Sequence, residues 1–347
     1  MHFHSFHPFN PNLYAGRQEP YESVRARYWY QSIGEYQAQQ VGLVGFACDQ
    51  GVLRNQGRIG AKHAPNMIKA TLAKLPISRD LQALDSELDI ALDSLVGDVG
   101  TIACEDNDQI QVGALEAAQQ AYADQISQLI AADKLAVGIG GGHEIAFGSF
   151  LGLWQALQAN TPNAMPAIGV INFDAHLDLR QDQYATSGTP FRQIAEWVNA
   201  NHSSFHYLCI GVSEFANTAA LFDRAEELGV RVISDDECYR LGWPTIESKL
   251  RAFLDSVDVV YLTVDMDCLS ASVMPAVSAV AAKGLSLDFV ERCANHIIAS
   301  GKVSLMDMAE VNPTYDIDGR GLKVSARLLV AMIGQWLLTK NRPIAAN

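Results

Sequence analysis

Paired cysteine motifs, an excess of basic residues and a long unbroken apolar run are all missing from this 347-residue chain. The six cysteines (Cys48, Cys104, Cys209, Cys238, Cys268 and Cys293) are scattered without CxxC spacing and sit mostly in apolar surroundings. They read as reduced, buried thiols of a cytoplasmic protein. Lysine and arginine number 25 against 39 acidic residues, giving a net charge of −14. Nucleic acid and anionic membrane surfaces reward clustered cations, so neither is expected as a partner. An anionic small substrate would instead need local arginines. No apolar run is long enough to span a bilayer, and the N-terminus has no basic stretch leading into an apolar one. Internal repeats, low-complexity tracts and composition-shifted linkers are also absent, so residues 41–347 read as one domain behind an N-terminal arm and lead-in, residues 1–40.

The arm begins MHFHSFHPFN. His2, His4 and His7 have no carboxylate nearby, and a Phe-, Pro- and Asn-rich opening reads as a loosely packed extension with no site. Beyond it the pattern alternates. An apolar run over 41–47 leads into a Gly-rich loop carrying Arg54 and Arg58, then into a helix over 65–75. Residues 81–106 are acidic and weakly patterned, with a short strand at 95–99. A helical repeat over 108–132 precedes the strand 135–139, which runs into GGGHE and a further helical stretch. Strands at 167–173, 206–212, 257–264 and 302–308 follow, with helices over 217–228, 245–255, 287–300 and 325–338. Strands alternating with helices imply right-handed crossovers and a parallel sheet covered on both faces, an α/β fold.

Chemistry gathers at the strand ends. In INFDAHLDLR, Asp174, His176 and Asp178 alternate with apolar residues, and an extended segment would put all three on one face. Two carboxylates and an imidazole suit Mn²⁺ or Zn²⁺. His143 follows the strand at 135–139, Asp265 and Asp267 follow the strand at 257–264 with Met266 turned to the apolar side, and Glu310 follows the strand at 302–308. A parallel sheet brings such ends to one edge, where ligands bind. Five carboxylates and two imidazoles there would repel one another without cations, because unpaired buried charge is costly. Two dications would relieve that, and a water they share would become a nucleophile for a planar electrophilic carbon.

GGGHE, NFDAHLD, TVDMDCLSASVMPAVSAVAAKG and MDMAEVNP, in this order, resemble the signature segments of the arginase, or ureohydrolase, family of binuclear manganese hydrolases. In the third segment the Asp-x-Asp pair, Pro275 and Gly284 fall at the family's spacing. The resemblance spans residues 41–338. It implies a three-layer α/β/α fold around an eight-stranded parallel sheet. It also implies two Mn²⁺ per subunit, with His143, Asp174, Asp178 and Asp265 distributed over one ion and its bridges, and His176 and Asp267 completing the pair. Glu310 is implied to contact the amidine or guanidine nitrogens of the substrate, as a carboxylate complements a planar cation.

Departures from the arginase pattern narrow the substrate. Arginases carry a proton-shuttling His in a segment resembling SGNLHG; here the matching loop is TSGTPFRQ, residues 186–193, with Phe191 in that place. Arg180 directly after the ligand cluster, and Arg192 in the following loop, point to a substrate with carboxylates. GGGHE, DAHLDLR, TSGTPF and GVSEFANT together resemble the branch of the family that hydrolyses the acidic amidine N-formimidoyl-L-glutamate. On that reading Asp178 orients the attacking water and relays a proton, Glu310 holds the amidinium, and Arg180, Asn217 and Arg192 receive the carboxylates. Glu144, beside His143 at a helix start, is read as a support behind the ligands, with substrate binding and stabilisation of the helix dipole as the alternatives. The alternatives are an agmatinase- or arginase-type hydrolase releasing urea, a catalytically silent metal-binding member, and a deacetylase of similar fold with a single zinc. The expected partner is a small molecule, with self-association left open.

Overall fold

The structure, a computed structural model, describes residues 3–105, 108–161 and 164–342; His2 lies outside them. Ten strands form one sheet: β1 (His4–Pro8), β2 (Gly34–Glu35), β3 (Val41–Ala47), β4 (Val96–Cys104), β5 (Leu135–Gly140), β6 (Ile168–Phe173), β7 (His206–Val212), β8 (Arg231–Ser234), β9 (Val259–Asp265) and β10 (Val303–Ala309). The spatial order is β1, β4, β3, β5, β10, β9, β6, β7, β8, with β2 also on β4. From β4 to β8 every pairing is parallel, which is the expected eight-stranded sheet. The short β2 is parallel as well, whereas β1 runs antiparallel along the outer edge of β4.

The helices are α1 (Gln50–Arg54), α2 (Ala64–Leu72), α3 (Arg79–Leu88), α4 (Ala114–Ala131), α5 (Ile145–Asn160), α6 (Pro190–Ala200), α7 (Ala219–Glu227), α8 (Asp235–Arg240), α9 (Trp243–Leu254), α10 (Leu287–Ala299) and α11 (Arg320–Asn341). Two apolar cores lie on opposite faces of the sheet. Leu135, Val137, Ile139, Ile171 and Phe173 meet the first, with Ile68, Ile297 and Ile333 from α2, α10 and α11. Ala136 and Val170 meet the second, with Leu115, Phe150 and Ile194 from α4, α5 and α6. Strands buried on both faces read as unbroken apolar runs, which is why they were legible in the sequence. Helix α11 is long and apolar enough to cross a membrane, but half of its most apolar stretch is buried in the protein and its Leu322, Leu329, Ile333 and Leu337 belong to the core.

The N-terminal arm is not loosely packed. Hydrogen bonding along β4 holds β1 in register from His4 opposite Cys104 to Pro8 opposite Gly100. Further on, Tyr14, Trp29 and Ile33 are buried. The Tyr14 hydroxyl donates to Asp98 at 2.9 Å, and Asp98 accepts Lys69 Nζ at 2.6 Å in an ion pair whose side chains are each 1% exposed. Strand β4 runs from Val96 to Cys104, beyond the 95–99 that the sequence suggested, because Gly100 and Thr101 break the apolar run that would mark its second half. The unforeseen α3 starts at a Ser78 cap that accepts from Leu81 N–H and runs into the weakly patterned acidic stretch. The helix expected over 108–132 begins only at Ala114.

Candidate metal centre

Strands β5, β10, β9 and β6 are consecutive neighbours in the sheet, and their carboxyl ends present His143, Glu310, Asp265 and Asp174 side by side. His143 leaves β5 through Gly140, Gly141 and Gly142. A Cβ on Gly141 would come within 1.8 Å of the Cys48 carbonyl oxygen, so only glycine permits this approach of the loop to the end of β3. Asp174, His176 and Asp178 converge, but not as an extended segment. Strand β6 stops at Phe173, the chain bends, His176 N–H donates to Asp174 Oδ1 at 2.6 Å, and Asp178 is left-handed at φ 49°. Asp267 likewise sits one turn beyond β9, where its N–H donates to Asp265 Oδ1 at 2.8 Å. Met266 is fully buried in apolar packing, as expected.

Two ligand groups result, sharing Asp174. His143, Asp174, Asp178 and Asp265 form one, and Asp174, His176 and Asp267 the other. His143 Nδ1 lies 3.4 Å from Asp174, 3.1 Å from Asp178 and 3.2 Å from Asp265, while His176 Nδ1 lies 3.4 Å from Asp174 and 3.1 Å from Asp267. One imidazole nitrogen carries at most one proton, so three carboxylates around His143 Nδ1 leave acceptors facing acceptors. Buried Asp267 Oδ1 has no partner among the described residues. This donor set, with acceptors in surplus and no Lys or Arg paired with them among the described residues, fits a pair of dications. Thr263 Oγ1, 3.1 Å from His143 Nε2, fixes the far side of the ring.

Each of these groups titrates under the pull of burial and of its charged neighbours. Burial opposes charge on His143, but its aspartate partners outweigh it and hold the imidazole well above its usual range. Asp267 raises His176 in the same way. Burial and the Asp174 charge push Asp178 up to about 6. Burial, then Asp267, pushes Asp265 well up. Burial also resists ionisation of Asp174, yet hydrogen bonds from both histidines leave it below the ordinary carboxyl value. Glu310, left-handed at φ 65°, accepts His143 N–H at 2.8 Å and is pushed by burial up to about 8.

A cavity of about 290 Å³ opens over this cluster, with Glu310, Arg180 and Arg58 in its walls. Arg58 is already engaged: it donates to the carbonyls of Ser278 and Val277 and lies over the Tyr315 ring. Two expected substrate contacts are not brought to this cavity. Asn217 uses both ends of its amide on the ligand-bearing bend and its neighbour, accepting from Leu177 N–H and donating to the Ala175 and Ser213 carbonyls, each at 2.9 Å. Arg192 donates from Nε to the Arg180 carbonyl at 2.7 Å and pairs with Glu196. Both therefore brace the backbone around the cluster. Phe191 is fully buried, stacked on Tyr207 and edge-on to His143. Glu144, also fully buried, accepts Gly51 N–H at 2.8 Å and ties α1 to the His143 loop.

Thr263, Asn55, Gln56 and Ser187 went unnoticed in the sequence. Thr263 opens the segment TVDMDC, two residues before Asp265 on the same strand face, and Ser187 lies in TSGTPF.

The chain is similar to known proteins over nearly its whole length. The formimidoylglutamase of Psychrobacter cryohalolentis is 55% identical over 94% of this chain and 96% of its own length, and that of Chromobacterium violaceum is 44% identical over 91% and 95%. Among solved structures, formimidoylglutamase from Bacillus subtilis superposes with a TM-score of 0.75 at 23% identity, over 92% of this chain and 95% of that one. A variant of Trypanosoma cruzi formiminoglutamase with Mn2+2 gives 0.71 at 25% identity, over 86% and 93%. Residues 39–335 match the arginase family as a whole. With near full-length relatives above 40% identity and the same fold around a buried His/Asp cluster, this chain belongs to the arginase family.

Proposed function

We propose that this chain hydrolyses N-formimidoyl-L-glutamate to L-glutamate and formamide, a step of histidine degradation. The observation that carries the reading is the cavity in which the ligand cluster, Glu310 and Arg180 face one another. Near full-length similarity to formimidoylglutamases supports it. In this reading two Mn²⁺ are held per subunit, one by His143, Asp174, Asp178 and Asp265, the other by Asp174, His176 and Asp267. When bound, they supply an activated water near neutral pH and positive charge where negative charge develops.

The chain's own groups then divide the work. Glu310 accepts N–H bonds from the amidinium and holds its planar carbon over the cluster. Arg180 binds a carboxylate of the substrate and fixes the other end. Asp178 orients the attacking water, takes its proton and passes it to the glutamate nitrogen as the C–N bond to the formimidoyl carbon breaks. Asp178 is placed for this role by its position in the wall of the cavity over the cluster. A cytoplasmic location and one catalytic domain over 41–347 go with this reading, supported by six free, buried cysteines and by the family match over 39–335.

The test is to incubate Mn²⁺-loaded protein separately with N-formimidoyl-L-glutamate, arginine, agmatine and guanidinobutyrate, measuring formamide, glutamate and urea. Formamide and glutamate in equal amounts from the first, and no urea from the others, are expected. Urea with no turnover of the formimidoyl compound would overturn the substrate while leaving the metal centre in place.

A further inference from the structure

We propose that a second cavity beside the metal centre, walled by Arg224, Arg180, Arg54 and the N-terminus of α7, receives the side-chain carboxylate of the substrate. The inference rests on the acidic-amidine reading above. This cavity measures about 460 Å³ and shares Asn55, Gln56 and Arg180 with the one over the ligand cluster. Arg180 thus stands in the common wall, and one extended molecule can place its amidine at the cluster and a carboxylate next door.

Three guanidinium groups gather around one concavity in a chain whose net charge is −14. Neither Arg180 nor Arg224 has a carboxylate partner among the described residues. Arg224 donates to the Leu179 carbonyl at 2.7 Å, which fixes its stem and leaves the rest of its fork available. Arg54 is largely spent, both of its terminal nitrogens donating to Glu116 and to the Ala185 and Gln111 carbonyls, and only its Nε, in a side chain 3% exposed, has no partner among the described residues. Helix α7 adds a fourth positive element. Its cap Thr218 makes no side-chain cap bond and its first turn has no acidic residue, while Thr218 and Ala220 line the cavity. Open helix amides and the helix dipole favour an anion there. Of the residues lining the cavity Asp182 is acidic; it is exposed at the rim and accepts Gln183 N–H. A carboxylate forked between Arg224 and Arg180 at the end of α7 matches this arrangement. Asn217 and Arg192, which the sequence suggested for that role, are turned to the backbone.

Steady-state kinetics of the Mn²⁺-loaded protein on two substrates decide the point: N-formimidoyl-L-glutamate, and N-formimidoyl-L-norvaline, which has no side-chain carboxylate. Arg224→Gln should raise KM for the acidic substrate about tenfold to a hundredfold, the range for a lost charged hydrogen bond, with kcat within about twofold. KM for the norvaline compound should not move, and Arg224→Lys should recover part of the loss. Ala220→Glu, which puts a carboxylate at the start of α7 where it favours the helix, should give the same selective increase even if Arg224→Gln does not fold. Equal KM changes for both compounds would reduce Arg224 to a prop for Leu179, and unchanged KM in both variants would equally overturn the proposal. No turnover of N-formimidoyl-L-glutamate by the unsubstituted protein would overturn the functional reading itself, and this inference with it.

Discussion

At the scale of single residues, the site holds two non-glycine positions in left-handed conformation, Asp178 and Glu310. Such backbone costs about 1–2 kcal/mol each and persists only where surroundings over-determine it. Here the strain turns both carboxyls into the cavity. The His/Asp cluster was legible in the sequence because aspartate and histidine directly after buried apolar strands gain nothing from packing and call for an offsetting charge. Its supports were not: Thr263 is an ordinary strand threonine until its hydroxyl is seen 3.1 Å from His143 Nε2. Removing that partner should loosen the ring without removing a ligand. Thr263→Val should weaken Mn²⁺ binding roughly 10- to 100-fold, the usual effect of losing such a support. Equilibrium titration with Mn²⁺ measures this, and unchanged affinity would deny Thr263 an orienting role.

At the scale of elements, the decisive fact is adjacency. Strands β9 and β10 come last among the strands in sequence, yet they insert between β5 and β6, and this brings four strand ends together. Alternation along an extended segment predicted the right three residues after β6 for the wrong reason, because the chain bends at Asp174. What holds that bend is Asn217, reaching across from beyond β7. Asn217→Ala would strand the buried Leu177 N–H and lose three hydrogen bonds, destabilising the fold by roughly 2–3 kcal/mol. We expect a lower melting temperature and weaker metal retention, with KM for substrate nearly unchanged. A selective rise in KM at unchanged stability would return Asn217 to the substrate-binding role its position in the sequence suggested.

At the scale of the whole molecule, the acidic cluster couples pH, metal and stability. Asp178 is pushed up to about 6 and Glu310 up to about 8, with burial the leading cause. Unfolded carboxyls titrate near pH 4, so above about pH 4 the folded metal-free chain keeps protons that the unfolded chain has released. Its stability therefore falls as pH rises through the window up to about 8. The raised histidines act in the same direction, since their favourable pairing is lost as pH climbs through their folded values. Metal reverses the sign, because ligands must shed protons to bind it. Thermal unfolding in EDTA should show the melting temperature dropping between about pH 5.5 and 8, while with excess Mn²⁺ it should rise over the same range. A metal-free protein whose stability is flat or rising there would contradict proton sharing in the cluster.

The sequence by itself determined the parallel α/β architecture, because strands buried on both faces must be apolar throughout and helices must alternate with them. It also singled out the residues of the buried His/Asp cluster, since each follows the end of such a strand. It could not place β1 on the edge of β4, because pairing between segments nearly 100 residues apart depends on a partner no local pattern reveals. Nor could it tell Arg180, Arg192 and Asn217 apart, for all three are polar residues in loops near the ligands. Only the tertiary structure decided that Arg180 faces the cavities while the other two bind backbone, because a side chain's use is set by the groups the fold brings within hydrogen-bond reach.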